Sequence, residues 1–405
     1  MEFKQKQLEN GLQIIGEVNP SAKSAAVGFF VKTGSRDETP QISGVSHYLE
    51  HMLFKGTHDL SAQQVNNAFD DTGAQFNAFT SEENTVYYAS VLPEYMNEVT
   101  DLWCRLLRPA LRDSDFDMEK NVIKEEIAMY KDMPSFDVMD RCRKLHFDKH
   151  PCGNSVLGTT QSVDDLTSKQ MRDYFDKRYA PNNMTLVCAG NFNWDQVVDL
   201  AQEQCSKWVS QKTQRKLSHY SGSLQQNRCI GKSLVREHIC LISSGPSYQH
   251  EDYYAGMLLT YIIGDNTGSR FFWELVDKAI AEAASMSMDS MDGTGALVSY
   301  LRCSPDRVSE VMDIVQSILK TIVSNGITED ELDKAKNKIL SAIVIKNELP
   351  MGRLIDLGFN WTYLKEYCKV EQDVAKIKSV TVADVNRITQ TLRPDKYSQY
   401  RIGPA

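Results

Sequence analysis

No stretch of the 405 residues approaches the roughly 20 consecutive apolar residues that cross a bilayer. The opening MEFKQKQLENG has no apolar block behind a basic end, so neither a secretory signal nor an Arg-rich transit segment is expected. No C-x-x-C pair occurs among the nine cysteines, and nine is odd. Free thiols in a reducing cytoplasm are therefore expected, and a disulfide framework or a Cys-based zinc ribbon is not. Positive charge is in deficit: 45 Lys and Arg against 54 Asp and Glu leave −9, which argues against a dedicated nucleic-acid binder. With 22 Gly and 12 Pro the chain is neither collagen-like nor low-complexity. What is present, 41% hydrophobic and 24% charged residues, is a globular composition. The length implies two to four packing units.

Strand and helix signals alternate through the first half. Short β-branched runs at Leu12–Val18 and Ala25–Thr33 predict two strands, joined as a hairpin or tight connection by Asn19-Pro20-Ser21. The spacing of Val45, Leu49, Met52 and Leu53 predicts a helix over Ser43–Phe54 that stops at Gly56. A helix capped by Ser61 follows, then strands at Gln75–Thr80 and Thr85–Leu92. Long helices are predicted over Pro93–Leu107, Asp115–Tyr130 and Phe136–Phe147, and a strand over Met184–Ala189. From about 206 to 232 the pattern dissolves into polar, basic, Ser- and Gly-containing sequence, and a linker is placed at 211–232.

The second half repeats the order: strand His238–Ser244, helix Tyr253–Ile263, strand Ala296–Cys303, helices Val308–Val323 and Thr328–Val344. An offset of 208 places Gly56 on Gly264, and one of 214 places Asp117-Met118-Glu119-Lys120 on Glu331-Leu332-Asp333-Lys334. The difference is a loop insertion within a duplication of about 200 residues. The expected fold is α+β, with two homologous αβ domains at 1–210 and 233–405, each a mixed or antiparallel sheet with helices packed on one face.

The sharpest chemical signal is His47-Tyr48-Leu49-Glu50-His51, inside the first predicted helix. Residues four apart stack on one helical face, so both imidazoles can reach one point. Two histidines leave a zinc ion half coordinated; a catalytic site takes a third protein ligand and a water. Glu50, on the same side, is placed to take that water's proton. In the acidic helix, Glu119 and Glu126 are seven apart and share a face, whereas Glu125 points elsewhere. A third ligand and an outer carboxylate holding a histidine could both come from that face. Taken alone, the same segment reads as a solvated acidic face pairing with Lys120 and Lys124. Cys188 and Cys240 lie in apolar strands and read as core.

HxxEH is the inverted form of the HExxH zincin motif. Together with ENGLQII, VKTGSRDE, GVSHYLEHMLFKGT, FNAFTSEENTVYYASVL, EKNVIKEEIAMYKDMP, VLGT and YAPNNMTLVCAGN, it makes the whole chain resemble the pitrilysin/insulinase metallopeptidases. The likeness is to the compact bacterial peptidases that look like mitochondrial processing peptidase. That resemblance implies one zinc ion per chain held by His47, His51 and Glu126, with Glu50 as general base and Glu119 as an auxiliary carboxylate. It implies that the duplicated domains form half of a clamshell. It also implies that Asn77, Ala78 and Phe79 lie on an edge strand to which an extended peptide substrate adds; without it, they read as an ordinary buried strand.

In the second repeat the metal positions correspond to Ala255, Leu258, Leu259 and Leu340, so no metal site is expected there. Ser269-Arg270-Phe271-Phe272-Trp273-Glu274-Leu275 resembles a family segment that continues in active relatives to an Arg and a Tyr. This chain has Val276 and Ala283 at those places. The expectation is therefore a zinc endopeptidase subunit that closes around short or unfolded polypeptides as a heterodimer, its homologous partner supplying the Arg and Tyr. A homodimer, or a catalytically incomplete scaffold subunit, is the alternative. No nucleic-acid or membrane partner is expected.

Overall fold

The computed structural model describes all residues except Lys216, His219 and Lys232, three positions of the expected linker. Two compact units form, and neither is continuous in sequence. The first comprises Met1–Ile127, Asn154–Lys216 and Val344–Cys368; the second comprises Ala128–Gly153, Leu217–Ile343 and Lys369–Ala405. Relative to the expected ranges 1–210 and 233–405, residues 128–153 and 344–368 have exchanged units.

Among the described residues the first unit carries six strands: β1 (Glu2–Gln7), β2 (Gln13–Val18), β3 (Ala25–Val31), β4 (Gln75–Thr80), β5 (Thr85–Val91) and β6 (Met184–Gly190), in the order β1-β2-β6-β3-β5-β4. The expected hairpin between β2 and β3 does not form. β6 lies between them, parallel to β2 and antiparallel to β3. All seven residues of β6 are buried, so it belongs in the middle of a sheet covered on both faces. Residues 19–24 are long enough to cross the roughly 10 Å over one intervening strand. β1, with the polar sequence EFKQKQ, has no apolar alternation to announce it; it forms at the edge by antiparallel pairing to β2.

Both faces of this sheet are apolar. On one lie helices including Val45–Leu53, Met96–Leu106 and Trp194–Cys205. On the other, Ile15, Ala26, Phe30, Val86, Val187 and Ala189 bury against Leu354 and Leu357 of helix Pro350–Leu364. Gly358 sits where a Cβ would stand 2.1 Å from the Phe30 ring, so this close approach requires glycine. Arg353 of the same helix bonds Glu17 through Nε and Nη2 at 2.8 and 2.9 Å, with both side chains buried.

Among the described residues the second unit has five strands, β7 (Gln226–Ile230), β8 (Glu237–Ser244), β9 (Ala283–Met291), β10 (Thr294–Cys303) and β11 (Ser398–Gly403), in the order β7-β11-β8-β10-β9. Ala255, Leu258 and Leu259 of helix Tyr253–Gly264 belong to its main core, with Leu340 packed against it. The residues aligned with the metal motif are thus plain packing groups. Helix Pro134–Phe147 covers the opposite face through Val138, Cys142 and Phe147. Each sheet therefore takes its second cover from a helix opening on proline, at Pro134 and Pro350, contributed by the other half of the chain. Among the described residues, no helix is long and apolar enough to cross a membrane.

Candidate metal centre

Helix Val45–Leu53 opens at Gly44, whose φ of +92° and a would-be Cβ 2.7 Å from the Leu157 carbonyl both call for glycine. Having no side chain, Gly44 cannot cap the helix. Glu38 does so instead, accepting from the Gly44 and Ser46 N–H groups at 2.6 and 2.8 Å. Burial pushes the Glu38 carboxyl up to about 7 against the pull of these donors. Its partners are brought to it by folding across six to eight residues, and the sequence reading passed over it.

His47 and His51 stack one turn apart, ring centroids 4.7 Å from each other. Helix Asp113–Lys131 brings Glu119 and Glu126 to them. Glu126 Oε2 lies 3.2 Å from His51 Nε2 and 3.7 Å from His47 Nε2. Ligand atoms of all three residues fall within 4.8 Å of one another. Ligands of a tetrahedral zinc ion, at bonds near 2.0–2.1 Å, stand about 3.3 Å apart, so this spacing and this His₂Glu donor set fit the ion. Glu119 Oε1 bonds His51 Nδ1 at 2.8 Å, leaving Nε2 for the shared point. Glu119 Oε2 is held by Lys55 Nζ at 2.5 Å.

Burial, then the neighbouring His51, push His47 down to about 4, so its ring is neutral at neutral pH with a lone pair to donate. Burial opposes charge on His51, but its bonds to Glu119 and Glu126 outweigh burial and raise it to about 9. Glu126 is drawn below the usual carboxylate range, chiefly by the His51 hydrogen bond. Glu119 is lowered too: burial raises it, and the bonds from His51 and Lys55 prevail. Both carboxylates are therefore ionised at neutral pH, paired with Lys55 and the protonated His51 ring beside the neutral His47.

Glu50 faces the same region from the helix. Burial raises its pKa, opposed by a 2.6 Å hydrogen bond from Thr80 Oγ1. Thr80 ends β4, which is the last strand of its sheet, so Asn77, Ala78 and Phe79 do lie on an edge strand. The Asn77 side chain accepts from the Ala78 N–H at 2.8 Å, and Phe79 packs on the far face against Tyr88 and Phe359. Val276 closes a π-helical turn, Phe272–Val276, and packs on the second unit's core; Ala283 opens β9. The contacts of Thr80 with Glu50 and of Lys55 with Glu119 also escaped the sequence reading. Thr80 and Lys55 stand inside the quoted motifs FNAFTSEE and HMLFKGT, where only tertiary contact distinguishes them from their neighbours.

Fold and site together place a His₂Glu group able to hold a metal ion in one half of an αβ duplication. The insulinase (peptidase family M16) profile matches residues 13–160, and the profile described as the peptidase M16 inactive domain matches residues 165–339. The uncharacterized zinc protease YmxG of Bacillus subtilis is 30% identical over 98% of this chain and 97% of its own length. An uncharacterized zinc protease of Mycobacterium bovis is 31% identical over 98% of this chain and 92% of its own. The chain belongs to peptidase family M16, the insulinase family. Among solved structures, a protease from Helicobacter pylori matches with a TM-score of 0.92 at 20% identity, covering 100% of this chain and 99% of that one. A Pseudomonas fluorescens structure described as a peptidase M16 inactive domain gives 0.93 at 17%, covering 100% and 98%. These likenesses carry the fold: α+β, with two homologous domains.

Proposed function

We propose that the chain is a zinc-dependent endopeptidase subunit acting on short or unfolded polypeptides. The observation that carries this reading is the convergence of His47, His51 and Glu126 on one point, with Glu119 behind His51 and Glu50 beside it. The ion, when bound by those three residues, supplies Lewis-acid polarisation of a carbonyl and a more acidic water. Glu50 then takes a proton from the water as it attacks the scissile carbonyl and returns it to the leaving amine. Its raised pKa suits both steps. Glu119 orients His51 through Nδ1 and keeps its other nitrogen turned to the shared point. An extended peptide adding to the outer edge of β4 gains main-chain hydrogen bonds without regard to sequence, which suits unfolded substrates.

Val276 and Ala283 leave the second unit without the Arg and Tyr expected from active relatives, groups that would donate hydrogen bonds to substrate and developing oxyanion. We therefore place the chain in a heterodimer whose homologous partner supplies those donors and closes the chamber, with a homodimer as the alternative. The cytoplasm is the proposed location.

The test is hydrolysis of a quenched, unstructured peptide by the purified chain with zinc, beside Glu50→Gln, with bound zinc measured in both. Cleavage by the wild type alone supports a self-sufficient peptidase and overturns the partner requirement. Stoichiometric zinc without cleavage, followed by cleavage on adding a homologous chain that carries the Arg and Tyr, supports the heterodimer. A chain that binds no zinc is the incomplete scaffold subunit.

A further inference from the structure

Thr80 Oγ1 has two acceptors in reach, Glu50 Oε2 at 2.6 Å and Thr85 Oγ1 at 3.5 Å. Thr85 spends its own proton on the Thr33 carbonyl at 3.1 Å. A hydroxyl carries one proton, and the difference in distance gives that of Thr80 to Glu50. The bond has the length of a charge-assisted O–H···O⁻ contact. With Oε2 so engaged, Oε1 is the freer oxygen to take a proton.

The strand makes this more than a local contact. Alternate residues share a face. Phe76, Ala78 and Thr80 turn toward the helices, where Phe76 stacks on Phe69 at 3.9 Å and Ala78 is buried. Asn77 and Phe79 turn the other way, Phe79 meeting Tyr88 and Phe359. Among the described residues, the outer edge of β4 pairs with no strand. One six-residue strand therefore offers the peptide-pairing edge and grips the base.

We propose that Thr80 is a positioning residue for Glu50: it holds Oε2, assigns proton transfer to Oε1, and ties the base to the strand on which a substrate lies. This rests on the peptidase reading above. A base free to rotate about its last torsion spends part of its time with neither oxygen aimed at the water, which lowers turnover and leaves peptide binding on the strand unchanged.

Three variants test it, in the presence of whatever partner cleavage requires. Thr80→Val keeps the β-branched shape and removes the hydroxyl; Thr80→Ser keeps the hydroxyl. The expected result for Thr80→Val is a kcat about tenfold to a hundredfold lower, the range of a hydrogen bond to a charged group. KM should stay within about twofold, and Thr80→Ser should recover kcat to within about threefold of wild type. Zinc content should be the same in all.

A second readout needs no turnover. The infrared carboxylate band present in wild type and missing from Glu50→Gln should shift in Thr80→Val and not in Thr80→Ser. A Thr80→Val kcat equal to wild type, or an equal loss in Thr80→Ser, overturns the proposal, as does an unshifted band. If no peptide is cleaved even with a partner, the peptidase reading fails, and a shifted band still supports the grip of Thr80 on Glu50.

Discussion

Glu119 Oε1 stands 2.8 Å from His51 Nδ1, and its other oxygen stands 2.5 Å from Lys55 Nζ. A carboxylate so placed would fix which ring nitrogen of His51 faces a bound metal ion, and its charge would strengthen that nitrogen as a ligand.

Glu119→Gln keeps the shape and gives up the charge. Zinc affinity, read by competition with a chromogenic chelator, is expected to fall about tenfold to a hundredfold with the fold retained. An affinity within twofold of wild type would remove Glu119 from the support of the site.

Arg353 and Glu17 are 336 residues apart and meet with both side chains almost fully buried. Arg353→Met leaves the buried Glu17 carboxylate without its counter-charge, with the Tyr367 hydroxyl still donating to it at 2.6 Å, at an expected cost of about 3–5 kcal/mol. Glu17→Gln combined with Arg353→Met should cost much less than the two single changes summed. Urea unfolding followed by circular dichroism measures all three. Additive losses would mean that the pair does not interact.

His146 lies fully buried in the second unit, its Nδ1 3.2 Å from Ser398 Oγ. Burial first, then the Arg143 guanidinium, depress its pKa from 6.5 to about 4. The folded chain thus binds fewer protons here than the unfolded one. Its contribution to stability is complete above pH 6.5 and is lost as pH falls through 4, about 3 kcal/mol in all. Urea midpoints between pH 7 and pH 4 should fall less steeply in His146→Gln than in wild type. Parallel slopes would assign the acid sensitivity to other groups.

Much of this architecture could be read before any coordinates. The helices at 45–53 and 62–72 and the strands at 75–80 and 85–91 emerge within a few residues of their expected bounds, because each carries its own period of apolar residues. Ser61 caps its helix as its residue type foretells, accepting from the Gln64 N–H. His47, Glu50 and His51 share a helix side through spacing alone, and a seven-residue interval puts Glu119 and Glu126 together. Other features carry no such mark. β1 is polar throughout, and β2 and β3 look like a hairpin until β6 arrives from 150 residues further on to part them.

Local periodicity is a property of ten or fifteen adjacent residues, so the elements that carry it, the duplication and the stripe of His47, Glu50 and His51 were written in the chain. Long-range placement answers to a different demand, that every apolar face find cover. That demand sends helix Pro134–Phe147 to the second sheet and helix Pro350–Leu364 to the first. It seats Arg353 on Glu17 and brings Thr80 to Glu50. Such contacts are chosen by shape and burial among distant segments, and no window of neighbouring residues contains them.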